Sequence, residues 1–196
     1  MRSSSSGPRH KRAFCNGGET VTLSEVDGVS RLLQWRSLGR LVLQVAILAL
    51  LAAAFFMVPR QVSGQSMEPH IAPGEFVLIN TVAYRVGIPH RGDIVAFRSG
   101  DARGLFIKRV IGLPGDRVRV DRGTVVVNGS PLSEPYVRYS DARSFPETTV
   151  PSASVYVLGD NRAESEDSRF FGTIADDRLV GRAVAGLWPP SSVGSL

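Results

Sequence analysis

The chain has 196 residues, of which 43% are hydrophobic and 21% charged, and a formal net charge of +5. Its length suits one domain of ordinary size with tails, and its single cysteine, Cys15, excludes an intramolecular disulfide and a cysteine metal cluster. The positive charge does not indicate nucleic acid, because no basic run is interleaved with aromatic residues and no zinc-finger or helix-turn-helix pattern occurs. Most of the excess positive charge comes instead from arginines that precede an apolar segment.

Residues 1–28 begin with a serine run and lack apolar periodicity, so we expect a disordered cytoplasmic tail. We assign residues 29–58 to a membrane anchor with a span at about 41–58, where Gln44 is the only polar residue. Roughly 17–25 apolar residues are needed to cross a bilayer. The arginine-rich flank should stay in the cytoplasm. The sequence therefore predicts a single-pass plasma-membrane protein with its following domain outside the cytoplasm.

A cleaved secretory signal is the alternative, since Ala52, Ala53 and Ala54 resemble a cleavage site. The apolar run continues through Met57, beyond the h-region of roughly 7–15 residues that such signals have. We therefore favour a retained anchor.

Residues 59–190 are predicted to form an extracytoplasmic domain of antiparallel β-structure, and residues 191–196 a flexible tail. Short strands bounded by turn residues carry this prediction, and no segment of the domain has the length and period of a helix. The predicted strands are Phe76–Asn80, Asp93–Phe97, Leu105–Ile111, Arg117–Asp121, Thr124–Asn128, Val155–Leu158 and Val180–Leu187.

Two of the chemically interesting residues are Ser66 and Lys108. Ser66 follows the apolar run in a turn-forming segment, where an isolated serine is usually an ordinary turn residue. Lys108 shares one face of a predicted strand with Phe106 and Val110, because strand side chains alternate. Such a lysine usually extends its ammonium group to solvent. A desolvated amine, however, has a lowered pKa and can serve as a base.

A third segment, residues 159–172, is rich in Asp, Glu, Arg and Ser. A run of this kind is most often a solvated loop. Its carboxylates and guanidinium groups could also pair in a network that keeps the loop rigid.

Together these segments resemble type I signal peptidases. That family has four boxes in a fixed order after a membrane span: Ser-Met-x-Pro, Arg-Gly-Asp-Ile-Val, Lys-Arg-x-x-Gly-x-Pro-Gly-Asp and Gly-Asp-Asn-Arg-x-x-Ser-x-Asp-Ser-Arg. Here they are Ser66–Pro69, Arg91–Val95, Lys108–Asp116 and Gly159–Arg169. The resemblance implies the family's mainly β fold of antiparallel sheets, preceded by one N-terminal transmembrane helix. The stretch between Pro114 and Val155 is short, so any second sheet subdomain should be small.

The resemblance also implies an activity, that of a serine endopeptidase removing signal peptides after an Ala-x-Ala-like site. It makes Ser66 the nucleophile, Lys108 the general base and Ser165 a hydroxyl that orients the lysine amine. Three further residues match supporting positions of the family: Asp167 and Arg169 its structural ion pair, and Arg109 its neighbouring arginine.

Val62, Phe106 and Ile107 match positions that line the family's shallow pockets for small substrate side chains. The implied partners are secretory preproteins bearing signal peptides and the lipid bilayer, with the export translocon nearby. No cofactor is implied. We expect no metal either, because no His, Asp and Glu residues are clustered at ligand spacing.

Some members of the family have a serine two positions before the nucleophile that helps to bind the oxyanion, and Gly64 stands there in this chain. An oxyanion hole must then rely on the backbone N–H of Ser66 and other donors. His70 stands where the family commonly has threonine, and we assign it no catalytic role.

Three alternatives stay open. A histidine triad would need His70 or His90, of which His70 is very close in sequence to Ser66 and His90 lies in a turn-forming segment. Self-cleaving repressors share the Ser/Lys chemistry, but they are cytosolic and carry a DNA-binding region. The third alternative is a catalytically inactive, membrane-anchored β domain that binds a partner.

Overall fold

The computed structural model describes residues 38–51, 56–98, 104–189 and 194–195. The chain divides into two compact units, Met1–Ala49 and Leu50–Leu196. Helix α1 covers residues 38–51, and no helix in the described ranges is both long and apolar enough to cross a bilayer. The predicted tail, residues 1–28, lies outside the described residues, as do residues 29–37 and 52–55 of the predicted anchor.

The predicted span is too long at its end. Strand β1, Met57–Gln61, contains Met57 and Val58, which the sequence analysis assigned to the span. Val58 is paired with Ile79 in an antiparallel ladder, so the backbone groups of this segment bond to a neighbouring strand rather than within a helix. Apolar residues occur both in a membrane-spanning helix and in a strand of a covered sheet, so hydropathy alone could not locate the boundary between the two.

The larger sheet of the second unit has eight strands among the described residues, in the order β1-β2-β11-β3-β4-β9-β10, with β12 paired to β11. Every ladder in it is antiparallel. The remaining bounds are β2 Phe76–Asn80, β3 Ile94–Arg98, β4 Leu105–Gly112, β9 Ser154–Leu158, β10 Ile174–Ala175, β11 Leu179–Trp188 and β12 Gly194–Ser195.

A smaller, four-stranded sheet lies between β4 and β9 in the sequence and has the order β7-β6-β5-β8. Its strands are β5 Arg117–Asp121, β6 Thr124–Val127, β7 Ser130–Pro131 and β8 Phe145–Thr149. The described helical segments of the second unit are single turns: α2 Ala83–Val86, α3 Ser168–Phe171 and the 3-10 turn Asp176–Arg178. The expected mainly β fold of antiparallel sheets, with a small second sheet, is confirmed.

Two apolar clusters lie against β4 and fix its position. Ile107 belongs to a cluster with Val62 and Met67, whereas Val110 belongs to another with Val95 and Phe97. Because side chains alternate along a strand, β4 is covered on both faces, and its residues from 107 to 112 are all buried. This interior strand of the sheet thus has little contact with water.

The strands that carried no clear sequence signal are β1, β7, β8, β10 and β12. Strand β8 contains a proline and has no fully buried residue, so it lacks the apolar alternation that would reveal it. Strand β12 pairs Gly194 with Gly186, so two residues of the predicted flexible tail are part of the sheet. A two-residue strand is too short to produce a periodic pattern.

Gly181 on β11 tests the packing of the large sheet. A methyl group there would collide with the backbone oxygen of Asn80 and would lie 2.9 Å from its carbonyl carbon. We expect Gly181→Ala to lower the free energy of unfolding by about 1–3 kcal/mol, since the obstacle is backbone and cannot rotate away. Urea denaturation measures this. Gly104→Ala, where a methyl group meets nothing within 4 Å, should have a much smaller effect; equal losses would contradict the packing argument.

Candidate active site

Ser66 lies in the loop between β1 and β2. The base of this loop is closed by two hydrogen bonds, from Val62 N–H to Glu75 O at 2.8 Å and from Gly74 N–H to Val62 O at 2.7 Å. Met67, the next residue, is 1% exposed and anchors the turn in the core. The Ser66 carbonyl accepts a hydrogen bond from the backbone N–H of Asn161 at 3.0 Å. The nucleophile candidate is therefore held by both its own loop and a distant one.

Lys108 lies on β4, an interior strand of the larger sheet between β3 and β9. Its partner across the ladder to β3 is Val95, which is fully buried. Lys108 itself is only 3% exposed. The expected placement of this lysine among apolar neighbours is thus what the structure shows, and its ammonium group does not extend into solvent.

The two side chains meet, with Lys108 Nζ 2.5 Å from Ser66 Oγ. Burial lowers the pKa of Lys108 to about 8, although the negative charge of Asp167 acts in the opposite direction. A charged amine is poorly solvated in such a site, which favours the neutral form. When the amine is neutral, it can accept the hydrogen bond of the serine hydroxyl. This is the geometry required of a nucleophile and its base.

Ser165, Asp167 and Arg169 occupy a loop that we call the catalytic loop, Gly159–Arg169. The Ser165 hydroxyl donates to Asp167 Oδ2 at 2.7 Å, and Arg169 Nε donates to Asp167 Oδ1 at 2.8 Å. The predicted ion pair of Asp167 and Arg169 is present and buried. The described hydrogen bond of Ser165 goes to Asp167 and not to Lys108, so its predicted role in orienting the amine stays a prediction.

Gly159 explains how the catalytic loop approaches Ser66 closely. A methyl group at this position would lie 2.5 Å from the Ser66 carbonyl oxygen and would also collide with the Ser165 hydroxyl. Only a residue without a side chain fits between them. Ser66 and Ser165 are therefore neighbours in space, although about a hundred residues separate them in sequence.

The arginine next to Lys108 belongs to a buried ion pair. Arg109 donates through Nε and Nη2 to the two carboxylate oxygens of Asp160, at 2.8 and 2.6 Å. Arg91 similarly donates to Asp116 at 3.0 Å. Three of the sequence boxes are thus joined in pairs by guanidinium–carboxylate contacts, which fix orientation because they are planar and directional.

A cleft of about 500 Å³ opens beside the pair of Ser66 and Lys108. The predicted substrate-contacting residues, Val62, Phe106 and Ile107, all line it. It runs between the segment at residues 60–67 and that at residues 104–108. An extended peptide placed in this cleft would pass the serine hydroxyl.

Gly64 has no side chain, so this position offers no hydroxyl donor to an oxyanion. Within the described ranges, the Ser66 N–H has no acceptor, so it is available to an oxyanion. The side chain of His90 is 71% exposed, and its Nδ1 is 3.8 Å from Asp93, while the base within reach of Ser66 is Lys108. The geometry therefore favours the lysine arrangement over a histidine triad.

The sequence analysis assigned no role to Asn161, Glu134, Tyr136 or Asp141. Asn161 lies inside the Gly159–Arg169 box, which could have pointed to it. The other three belong to the connection between β7 and β8, outside every box, where no sequence pattern distinguishes them.

Residues 35–188 match the family model described as signal peptidase, peptidase S26. The chain belongs to this family. It is 39% identical over 168 residues to a probable signal peptidase I-2 of Synechocystis sp. (strain ATCC 27184 / PCC 6803 / Kazusa), covering 83% of this chain and 77% of the relative. It is 33% identical over 161 residues to signal peptidase IB of Staphylococcus aureus (strain COL), covering 73% and 84%.

Among solved structures, a signal peptidase I from Enterococcus faecalis V583 is 35% identical, with a TM-score of 0.44, covering 50% of this chain and 97% of that chain. The resemblance found in the sequence boxes is confirmed by the family match and by the identity to the two relatives. So is the expected enzyme class, a serine peptidase of the signal peptidase family.

The buried amine should affect stability in a pH-dependent way. Its pKa falls from 10.5 in the unfolded chain to about 8 in the folded one. Below pH 8 both states are protonated, and the full burial cost, about 3 kcal/mol, is present. Between pH 8 and 10.5 the folded state loses its proton first, so the cost declines. We expect Lys108→Met to stabilise the protein most below pH 8, with the gain shrinking toward pH 10, measured by urea denaturation. A gain independent of pH would contradict the shifted pKa.

Proposed function

We propose that this member of the signal peptidase family removes N-terminal signal peptides from exported preproteins, with Ser66 as nucleophile and Lys108 as general base. The observation that supports this most is the 2.5 Å contact between Lys108 Nζ and Ser66 Oγ. It occurs beside a cleft and involves an amine whose burial lowers its pKa to about 8.

The proton balance follows from this contact. Neutral Lys108 accepts the proton of the Ser66 hydroxyl as Oγ attacks the carbonyl carbon of the scissile peptide bond. The lysine ammonium then gives this proton to the nitrogen of the leaving chain. Water hydrolyses the resulting ester with Lys108 again as base. The Ser66 N–H is the available donor for the oxyanion of the tetrahedral intermediates.

Burial makes this chemistry accessible near neutral pH. With a pKa of about 8, about one tenth of the amine is neutral at pH 7 and about half at pH 8. An unshifted lysine would be neutral in only about 0.03% of molecules at pH 7. Desolvation thus raises the active fraction by more than about 100-fold.

The cleft is consistent with small side chains next to the cut. Val62, Phe106 and Ile107 line the cleft with apolar side chains, and Val62 and Ile107 are largely buried, so little of their surface is open to a substrate. A substrate with alanine-sized residues at the first and third positions before the scissile bond fits such a surface. We propose an Ala-x-Ala-like recognition site.

We also propose that residues 29–56 anchor the enzyme in the plasma membrane, with the N-terminus in the cytoplasm. The apolar run, Leu41–Val58, and the arginines before it support this topology. Only residues 57–65 separate the shortened span from Ser66, which limits their separation to about 30 Å at ~3.5 Å per residue. A signal peptide lies in the same membrane and has its cleavage site just outside, within reach of the translocon.

The decisive experiment compares the detergent-solubilised full chain with Ser66→Ala on a peptide containing Ala-x-Ala. We expect cleavage after the second alanine and a loss of at least about 10³-fold in Ser66→Ala, as for other serine nucleophiles. Ser152→Ala, an exposed serine that does not line the cleft, is the matched control and should retain activity. Binding of the peptide without cleavage by the unmodified chain would identify a non-catalytic binding module instead.

The pH dependence of kcat tests the base. Because protonated Lys108 cannot accept a proton, we expect the rate to rise with pH through an apparent pKa of about 8 and then to level off. Lys108→Arg should abolish turnover, since a guanidinium group stays charged at these pH values. Substantial activity of this variant, or a rate that still climbs steeply above pH 10, would show that another group is the base.

A further inference from the structure

The connection between β7 and β8 contacts the catalytic loop along its length. We call residues 134–141 the strap. We propose that Glu134 and Asp141 of the strap are positioning residues, which hold the catalytic loop in the place where it supports Ser66. This role rests on the proposed function and adds a part of the small sheet to the catalytic machinery.

The first contact of the strap is the ion pair between Glu134 and Arg162. Arg162 donates through Nη2 to Glu134 Oε1 at 2.6 Å and through Nη1 to Oε2 at 3.1 Å, and its side chain is 3% exposed. The Tyr136 hydroxyl also donates to Glu134 Oε1 at 2.9 Å. A buried pair with two hydrogen bonds fixes direction as well as distance. Glu134 therefore determines how the Arg162 side chain is oriented.

Arg162 and Asn161 connect this ion pair to the backbone of Ser66. Arg162 Nε donates to the carbonyl oxygen of Gly159 at 2.9 Å, which holds the start of the catalytic loop. Asn161, the residue before it, donates its backbone N–H to the Ser66 carbonyl at 3.0 Å. Glu134 is thus connected through Arg162 and Asn161 to the backbone beside the attacking hydroxyl.

The second contact is made by Asp141 at the other end of the strap. Arg169 Nη1 donates to Asp141 Oδ2 at 2.9 Å, while its Nε donates to Asp167 Oδ1 at 2.8 Å. Arg169 Nη2 also donates to the carbonyls of Arg162 and Ser165, at 2.8 and 3.2 Å. Asp141 therefore balances a buried guanidinium group that joins both halves of the catalytic loop.

Backbone and aromatic contacts complete the arrangement. The Arg162 N–H donates to the Tyr139 carbonyl at 2.8 Å, and Tyr139 forms an isolated bridge with Asn161. The Arg109 guanidinium carbon lies 4.3 Å from the centre of the Tyr136 ring. Arg109 is adjacent to Lys108, so the strap contacts the supports of both members of the pair.

The strap lies outside the cleft. Glu134 and Asp141 are not among the described residues that line the cavity beside Ser66. Altering them should therefore act mainly on the placement of the reacting groups, because the proposed substrate-contacting residues, Val62, Phe106 and Ile107, lie outside both the strap and the catalytic loop. The expected signature is a fall in kcat with little change in KM, which a residue that binds substrate would not give.

The test measures kcat, KM and thermal unfolding of the full chain and of Glu134→Gln and Asp141→Asn, with an Ala-x-Ala peptide as substrate. The matched control is Glu147→Gln on β8, which removes the exposed pair with Arg117 at 3.7 Å from the same small sheet. We expect each strap variant to lower kcat by about 10- to 100-fold, the loss that a misplacement of about 1 Å can cause. KM should stay within about twofold, and Glu147→Gln should match the unmodified chain.

The proposal is overturned if folded strap variants keep kcat within about twofold of the unmodified chain, or if Glu147→Gln loses as much. Failure of both strap variants to fold would also contradict it, because it would make these contacts structural. If the unmodified chain cleaves the peptide and the strap variants are fully active, the positioning role of the strap is refuted and the proposed function stands. An unmodified chain that binds but does not cleave refutes the proposed function and, with it, the strap's role.

Discussion

The contact between a buried amine and a hydroxyl group, Lys108 Nζ and Ser66 Oγ, is the interaction on which the account of this chain depends. A lysine in water is almost wholly protonated near neutral pH and cannot accept a proton. Removing it from water increases the neutral fraction, at a cost to stability of about 1.4 kcal/mol for each unit by which the pKa falls. The large sheet provides this environment by placing β4 between two apolar clusters. The packing that buries Lys108 is therefore also what lowers the pKa of its amine.

Buried ion pairs lie around the Lys108 amine. The neighbouring cations, Arg109, Arg162 and Arg169, are guanidinium groups that keep their charge and are paired with Asp160, Glu134 and Asp167. Such pairs fix geometry through planar, directional hydrogen bonds. The arginines of the site thus hold the loops in place, and Lys108 is the amine in contact with Ser66.

Features that depend on residues close together in the sequence could be predicted from it, whereas features that depend on contacts between distant segments could not. Strands β2 and β5 were predicted with their observed bounds, because turn residues and apolar alternation are local signals. The pair of Ser66 and Lys108 followed from the four boxes, since their spacing is shared with a known family. The strap could not be predicted, because Glu134 and Asp141 acquire their partners only when the small sheet is placed beside the catalytic loop. The end of the predicted span was misplaced because apolar residues suit a strand in a covered sheet as well as a helix in lipid.

The pKa of the Lys108 amine is the most direct test of the account, and the composition makes it measurable. The chain contains only two lysines, Lys11 and Lys108, so ¹⁵N-lysine labelling with Lys11→Arg leaves one amine signal for an NMR titration. The account predicts a midpoint of about 8 in the folded protein. It also predicts that urea denaturation returns the midpoint to the ordinary lysine value. A midpoint near 10.5 in the folded protein would contradict the lysine base.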